Sequence, residues 1–333
     1  MRKKYDIYGI GAALVDTEVQ VSEGFLLANG IAKGVMTLVD EARQAELLTS
    51  LNAHGAHFIR QSGGSVCNSI VAASHLGAKT FFSGKVANDT EGALFAEDLK
   101  LAGATFTPVE AESGVTGKCL VMVTTDAERT MNTFLGASDA LSDREIDTTA
   151  LLQAEWFYVE GYLATNEVRT AIIKDAITRA KHHGVKVAVS LSDPFVAEIF
   201  GDALRDMIGE GVDLIFCNKD EAMTFTQTDD MAAAVEALKI YTQAFVITDG
   251  ANGACAFDGA SMMQAVGVQA KAIDTNGAGD MFAGAFLYAL TSGRDFVWAA
   301  SLANHAAAKV VEQYGPRLST AEFDAIKQRF VLA

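Results

Sequence analysis

The segment Asp274-Thr275-Asn276-Gly277-Ala278-Gly279-Asp280 constrains this chain more than any other. Residues 266–273 alternate in polarity before it and read as a strand, and residues 281–290 after it read as a buried helix. A turn of small residues between strand and helix leaves the first helical N–H groups without partners. Gly277, Ala278 and Gly279 carry almost no side chain, so a bulky anion can approach those donors, and the helix dipole adds positive potential there. The stretch is thus a cradle for a phosphate or an oxyanion. Asp280 is the anomaly, because a carboxylate repels the anion the loop attracts. One explanation is an ordinary acid in the first turn of a helix. The other is chemical: the loop holds the charge of a transferring group while Asp280 accepts the proton of an attacking hydroxyl.

The rest of the chain supplies a scaffold for such a site. Strand-like and helix-like runs alternate from residue 156 onward, with strands at 156–159, 185–190, 214–217 and 244–248 and helices at 167–183, 195–208, 231–242 and 296–313. That alternation is the mark of βαβ units and a parallel sheet. Earlier, 5–10 and 80–85 read as strands, 41–54 and 93–102 as helices, and a helix runs through residue 73. Residues 17–22, 34–39 and 105–135 break into short β segments. The architecture implied is α/β, a doubly wound sheet flanked by helices. The segments 17–40 and 105–136 form a small β-sheet lid within one domain over 1–333.

Composition narrows the partners. Half of the 333 residues are hydrophobic, enough for a substantial core. A net charge of −16 argues against nucleic-acid and anionic membrane surfaces. No apolar run reaches membrane-spanning length. The opening Met1-Arg2-Lys3-Lys4 and the apolar run behind it faintly imitate a secretion signal, but Asp6 interrupts the run and Asp16 ends it, so it reads as the first strand. Cys67, Cys119, Cys217 and Cys255 are scattered, as in a cytoplasmic protein with reduced thiols.

Two apparent nucleotide motifs fail. Gly9-Ile10-Gly11 has Leu14 where a dinucleotide fingerprint needs its third glycine, and Gly117-Lys118-Cys119 lacks the upstream glycine and the Ser/Thr of a P-loop. Other stretches read two ways. Asp16 is a turn residue or a ligand at a strand end. Gly63-Gly64 and Asn68 form a flexible turn before a helix or a second amide-lined floor. Arg129 is a solvated charge or a phosphate partner. Asn218 and Glu221 are a helix start or a metal site. Thr248–Gly253 is a hairpin turn or a nucleotide loop.

The segment Asp274–Asp280 resembles the D-[TA]-x-G-A-G-D signature of the ribokinase/PfkB family of sugar and nucleoside kinases, and further family motifs follow in order along nearly the whole chain. The resemblance implies that Asp280 is the catalytic base and that Gly277, Ala278 and Gly279 form the anion hole. Gly63, Gly64 and Asn68 match G-G-x-x-x-N and, with Asp16, would hold the substrate. Asn218 and Glu221 match N-x-x-E, which organises Mg²⁺ through water. Thr248, Gly250 and Gly253 match the T-x-G-x-x-G nucleotide loop, and Asn304 falls where the family borders adenine. Residues 84–92 resemble G-x-V-G-x-D-x-x-G, with Ala87 in place of the middle glycine. The run Arg129-Thr130-Met131 is similar to one in adenosine-kinase-like members, where the arginine reaches toward phosphates.

The resemblance therefore implies ATP-dependent phosphorylation of a hydroxymethyl group, with Mg²⁺ and in some members a monovalent cation such as K⁺. A nucleoside is favoured, adenosine giving AMP. A sugar kinase acting on ribose, fructose or a keto-deoxy sugar is the alternative. A catalytically silent nucleoside sensor is disfavoured because Asp280 and the Gly-Ala-Gly amides are intact. The oligomeric state implied is a monomer or a homodimer.

Overall fold

The computed structural model describes residues 3–53, 55–109 and 113–331. A nine-stranded sheet forms its centre. From one edge its strands are Met262–Val266, Gly253–Phe257, Thr242–Thr248, Val212–Asn218, Lys186–Ser190, Ala154–Glu160, Tyr5–Ile10, Thr80–Ser83 and Thr105–Phe106. The seven strands from Thr242–Thr248 to Thr105–Phe106 pair in parallel, and the last hairpin adds two antiparallel strands at the other edge.

Parallel strands are buried on both faces, which is why they read as near-continuous apolar runs. In Ala154–Glu160, Trp156 and Tyr158 enter one core while Phe157 and Val159 enter the other. The first core lies under the helices Ser65–Leu76, Ala278–Thr291, Phe296–Val310 and Thr320–Val331. The second lies under Glu167–His182, Gly201–Ile208, Lys219–Thr226 and Met231–Leu238. Strand order reverses between Tyr5–Ile10 and Ala154–Glu160, so a cleft opens at their carboxyl ends.

A five-stranded sheet stands beside that cleft, in the order Met36–Leu38, Arg129–Phe134, Gly117–Val123, Leu14–Gln20, Ile59–Gly63. Val19, Val21, Leu120 and Met122 on one face pack with Leu26, Leu47 and Leu51 of the helices Glu23–Ala28 and Glu41–Ala53. Only Gly11, Ala12 and Ala13 separate the central strand Tyr5–Ile10 from Leu14–Gln20 of the small sheet. The α/β architecture of large flanked sheet and smaller sheet is the one the sequence implies.

Several boundaries differ. Residues 267–273 form no strand; the chain leaves the edge of the sheet at Val266, and Gly277 begins the helix. The helix placed over 231–242 ends at Leu238, and Thr242 instead opens a strand opposite Val212. Thr105–Phe106, assigned to the lid, pairs with Phe81 and Phe82 in the large sheet. Ile59–Gly63 joins the small sheet, where no strand was foreseen. The helix placed over 41–54 is Glu41–Ala53; His54, Met1, Arg2 and residues 110–112 of the expected lid lie outside the described residues. Cys67, Cys119 and Cys217 are buried free thiols, and Cys255 is partly buried. Among the described residues no helix is long and apolar enough to cross a membrane.

Candidate active site

The floor of the cleft is built where two helices begin. Gly64 precedes Ser65–Leu76 with φ +96°, and a Cβ there would stand 2.1 Å from the carbonyl oxygen of Ala12. Gly63 lies against Asp16 so closely that a Cβ would come within 2.1 Å of the carboxylate. The helix that follows sends Ser65 and Asn68 toward the first turn of Ala278–Thr291. Ser65 Oγ donates to Asp280 Oδ1 at 2.6 Å, and Asn68 Nδ2 donates to Asp280 Oδ2 at 2.9 Å. Ser69 Oγ donates to the backbone carbonyl of Asp280 at 2.9 Å. The carboxylate is thereby fixed in orientation. Desolvation raises its pKa above the ordinary aspartate value, while the two hydrogen bonds and the charges of Arg129 and Arg317 hold it down.

Beside it the glycine loop is held open from behind. Gly277 adopts a left-handed conformation, φ +73°, and caps the helix without a side chain. The first turn is closed by Met281 N–H donating to the Gly277 carbonyl at 2.8 Å. A Cβ on Gly277 would lie 2.3 Å from Pro316 Cβ, whereas one on Gly279 would meet nothing within 4 Å. Fully buried Asp274 shapes the approach: Oδ1 accepts from Asn276 N–H at 2.9 Å and Oδ2 from Gly315 N–H at 3.0 Å. Asn276 Nδ2 is buried without a partner.

One face of the small sheet looks onto this floor. Residues paired across strands point the same way. One cross-strand row is Gln61, Asp16, Cys119 and Thr133; the next is Ile59, Glu18, Val121 and Met131; a third carries Val123 and Arg129. The face is polar around Asp16, Glu18 and Gln61 and apolar around Val121 and Met131, which pack with Cys119, Leu14 and Leu135. Burial pushes Asp16 up to about 7, against the pull of Arg317. Glu18, beside Asp274 and the Gly315 backbone, is pushed to about 8 by burial and by the negative charges of Asp274 and Asp16. Half-buried Arg129 acts electrostatically on both Asp280 and Glu221.

Two residues that motif reading passed over complete the floor. Glu160 ends the strand Ala154–Glu160 at the reversal point and straps the cleft: Oε1 accepts from Ala12 N–H at 2.8 Å and Oε2 from Val66 N–H at 3.2 Å. Burial raises it to about 7, and a Cβ on Gly11 would fall 2.4 Å from its Oε2. A carboxylate ending an apolar strand was the available signal. Arg317 donates to Asn68 and Ser62 from a loop after the helix Phe296–Val310, where no local pattern announces it.

A second group sits at the ends of Val212–Asn218 and Thr242–Thr248, where Asn218 is paired with Thr248. Asn218 and Glu221 bond reciprocally: Glu221 N–H donates to Asn218 Oδ1 at 2.8 Å, while Asn218 N–H and Nδ2 donate to the two Glu221 oxygens at 3.0 and 2.7 Å. Burial raises Glu221 to about 7. Gly250 and Gly253 turn the following hairpin with φ +51° and +95°, and a Cβ on Gly253 would stand 2.2 Å from the carbonyl oxygen of Ala265. Asn304 Nδ2 donates to the carbonyls of Ala265 and Val266, both at 3.2 Å, so its amide ties the helix to the edge strand. Neighbouring His305 packs against Phe330. Among the described residues no three His, Cys, Asp or Glu side chains converge as metal ligands. A lone carboxylate such as Glu221 suits an ion held through water.

A cavity of about 760 Å³ opens along the edge of the small sheet, walled by Leu38, Thr133, Leu135, Glu41, Lys85 and Asp139. In the cleft a fixed carboxylate stands beside an open helix N-terminus, an arrangement suited to transferring a phosphoryl group to an alcohol.

The chain belongs to the pfkB family of carbohydrate kinases, whose model matches residues 32–322. It is similar to the solved adenosine kinase of Sinorhizobium meliloti, with 33% identity and a TM-score of 0.92 over 98% of this chain and 99% of that one. A probable sugar kinase of Rhizobium etli CFN 42 matches with 32% identity, TM-score 0.92 and the same coverage. Adenosine kinase 1 of Arabidopsis thaliana is 27% identical over 86% of this chain and 88% of its own. Membership makes this a kinase, which implies ATP as the donor and typically a divalent metal.

Proposed function

We propose that the protein phosphorylates the hydroxymethyl group of a nucleoside, adenosine giving AMP in the first instance. The observation that carries this reading is the divided face of the small sheet above Asp280. Asp16, Glu18 and Gln61 suit the hydroxyls of a ribose, and the apolar half around Val121 and Met131 suits a flat base.

In this mechanism Asp16, Gly63, Gly64 and Asn68 hold the acceptor. Asp280 takes the proton of its hydroxyl as the oxygen bonds to the γ-phosphorus and the bond to the leaving ADP oxygen breaks. The amides of Gly277, Ala278 and Gly279, with Arg129, stabilise the charge on the transferring group. Thr248, Gly250 and Gly253 line the nucleotide, with Asn218 and Asn304 at its borders. Glu221 would hold Mg²⁺ through water, and the ion would neutralise phosphate charge. The small sheet acts as a lid that excludes water.

A free sugar is the second reading, supported by the equal likeness to a probable sugar kinase. The test is ATP consumption with a panel of nucleosides and sugars, with Asp280→Asn as the control. Turnover on adenosine alone is the expected result. Turnover on a sugar alone keeps the chemistry and overturns the nucleoside; binding without turnover on every member overturns the enzyme.

A further inference from the structure

Three consecutive residues, Gly315-Pro316-Arg317, each touch a different part of the candidate site. Gly315 N–H donates to Asp274 Oδ2 at 3.0 Å, at the entry to the glycine loop. Pro316 backs Gly277, as the 2.3 Å approach to an added Cβ shows. Arg317 spreads its guanidinium beneath the acceptor floor. Its Nε and Nη2 donate to Asn68 Oδ1 at 3.3 and 3.2 Å, Nη1 donates to Ser62 Oγ at 2.8 Å, and Nη2 reaches Cys67 Sγ at 3.5 Å.

The consequence lies in the amide of Asn68. An asparagine side chain presents an acceptor at one end and two donors at the other, and nothing in the side chain itself chooses between them. A guanidinium only donates and a carboxylate only accepts. With Oδ1 held by Arg317, Nδ2 is directed at Asp280 Oδ2. The flipped amide would set donor against donor at Arg317 and acceptor against acceptor at Asp280. Arg317 also faces the carboxylate of Asp16 electrostatically.

We infer that Arg317 is a positioning residue for phosphoryl transfer, orienting Asn68 and through it the carboxylate of Asp280. The inference rests on the proposed role of Asp280 as the base. Other titratable groups face Asp280: Arg129 and Asp16 from the small sheet, Glu160 and Tyr158 from the strand Ala154–Glu160, and Tyr162 just beyond it. Two arginines stand among several acids, so removal of one shifts the balance for Asp280 upward.

The test compares wild type, Arg317→Met and Arg317→Lys. The first measurement is a ¹³Cγ NMR titration of Asp280 in the ligand-free protein, assigned by its loss in Asp280→Asn. The second is the pH dependence of kcat and kcat/KM. In Arg317→Met the Asp280 midpoint is expected to rise, the acid limb of kcat/KM to move to higher pH, and kcat to fall by about 10²-fold, as for other misplaced reacting groups. Arg317→Lys returns the charge without the planar fork. It should restore the midpoint while recovering only part of kcat. An unchanged midpoint in Arg317→Met overturns the inference even if activity falls, since Arg317 then serves only to hold the loop. Full recovery of kcat by lysine overturns the orienting role. If wild type phosphorylates no alcohol, the kinase reading fails on its own, and the ligand-free titration still decides whether Arg317 acts on Asp280.

Discussion

Two of the helices that begin in the cleft finish their N-termini in opposite ways. At Lys219–Thr226 the end is closed: Asn218 and Glu221 satisfy each other's backbone N–H groups in a reciprocal capping box. At Ala278–Thr291 the cap is Gly277, which offers no side chain at all. Capping contributes stability but uses up the donors that an outside anion needs. The open end gives up that stabilisation and leaves its amides and its dipole unclaimed by a side-chain cap. Local violations of good folding practice tend to mark functional sites, and here a well-capped neighbour in the same cleft makes the violation plain.

Substitutions can break this contrast at each end. The largest effect belongs to Asp280→Asn, for which kcat should drop about 10²–10⁴-fold with an unchanged Tm. Wild-type turnover in that variant would place the base elsewhere. Next come the two glycines of the open end. Gly279→Ala has room for its methyl and should fold like wild type, yet lose about 10²-fold in kcat by crowding the anion donors. Gly277→Ala should lose activity and also about 1–2 kcal/mol of stability, since alanine disfavours the left-handed conformation and Pro316 blocks its Cβ. Equal Tm values for the two variants would erase the distinction between them. At the closed end, Asn218→Ala should cost about 0.5–2 kcal/mol in denaturant unfolding, the usual worth of a cap. No change there would mean that the box is redundant.

The last effect is one of pH. Asp16, Glu160 and Glu221 titrate at about 7 and Glu18 at about 8 in the folded protein. Unfolded carboxyls titrate near ~4. The folded state therefore binds more protons between these values, and stability falls as pH rises through that window. The Tm of the ligand-free protein should decline from pH 5 to pH 8, and Glu18→Gln should flatten the decline. A Tm that rises over this range would contradict the burial of these acids.

The open helix start was legible because three small residues beside an acid have few structural explanations. The capping pair was legible only as an ambiguity, since Asn218 and Glu221 occupy the same positions in a cap and in a metal site. Residues 266–273 misled because alternation marks a strand only if a neighbour pairs with it. Met262–Val266 already forms the edge, and Gly267 turns against the carbonyl of Ala251, too close for a Cβ. Ile59–Gly63 escaped because its polar residues sit on an edge strand and carry little apolar signal. Glu160 and Arg317 act through partners 94 or more positions away, which no local window contains.

That distance has a bearing on how the protein is made. Arg317 and Ser62 are 255 positions apart, and every described strand precedes Arg317 in the chain. Translation runs from the N-terminus, and early segments begin to fold while later ones are still being added. Both sheets can pair while Arg317 is still inside the ribosome. A nascent chain at that stage can pair its strands without yet having the contact between Arg317 and Asn68.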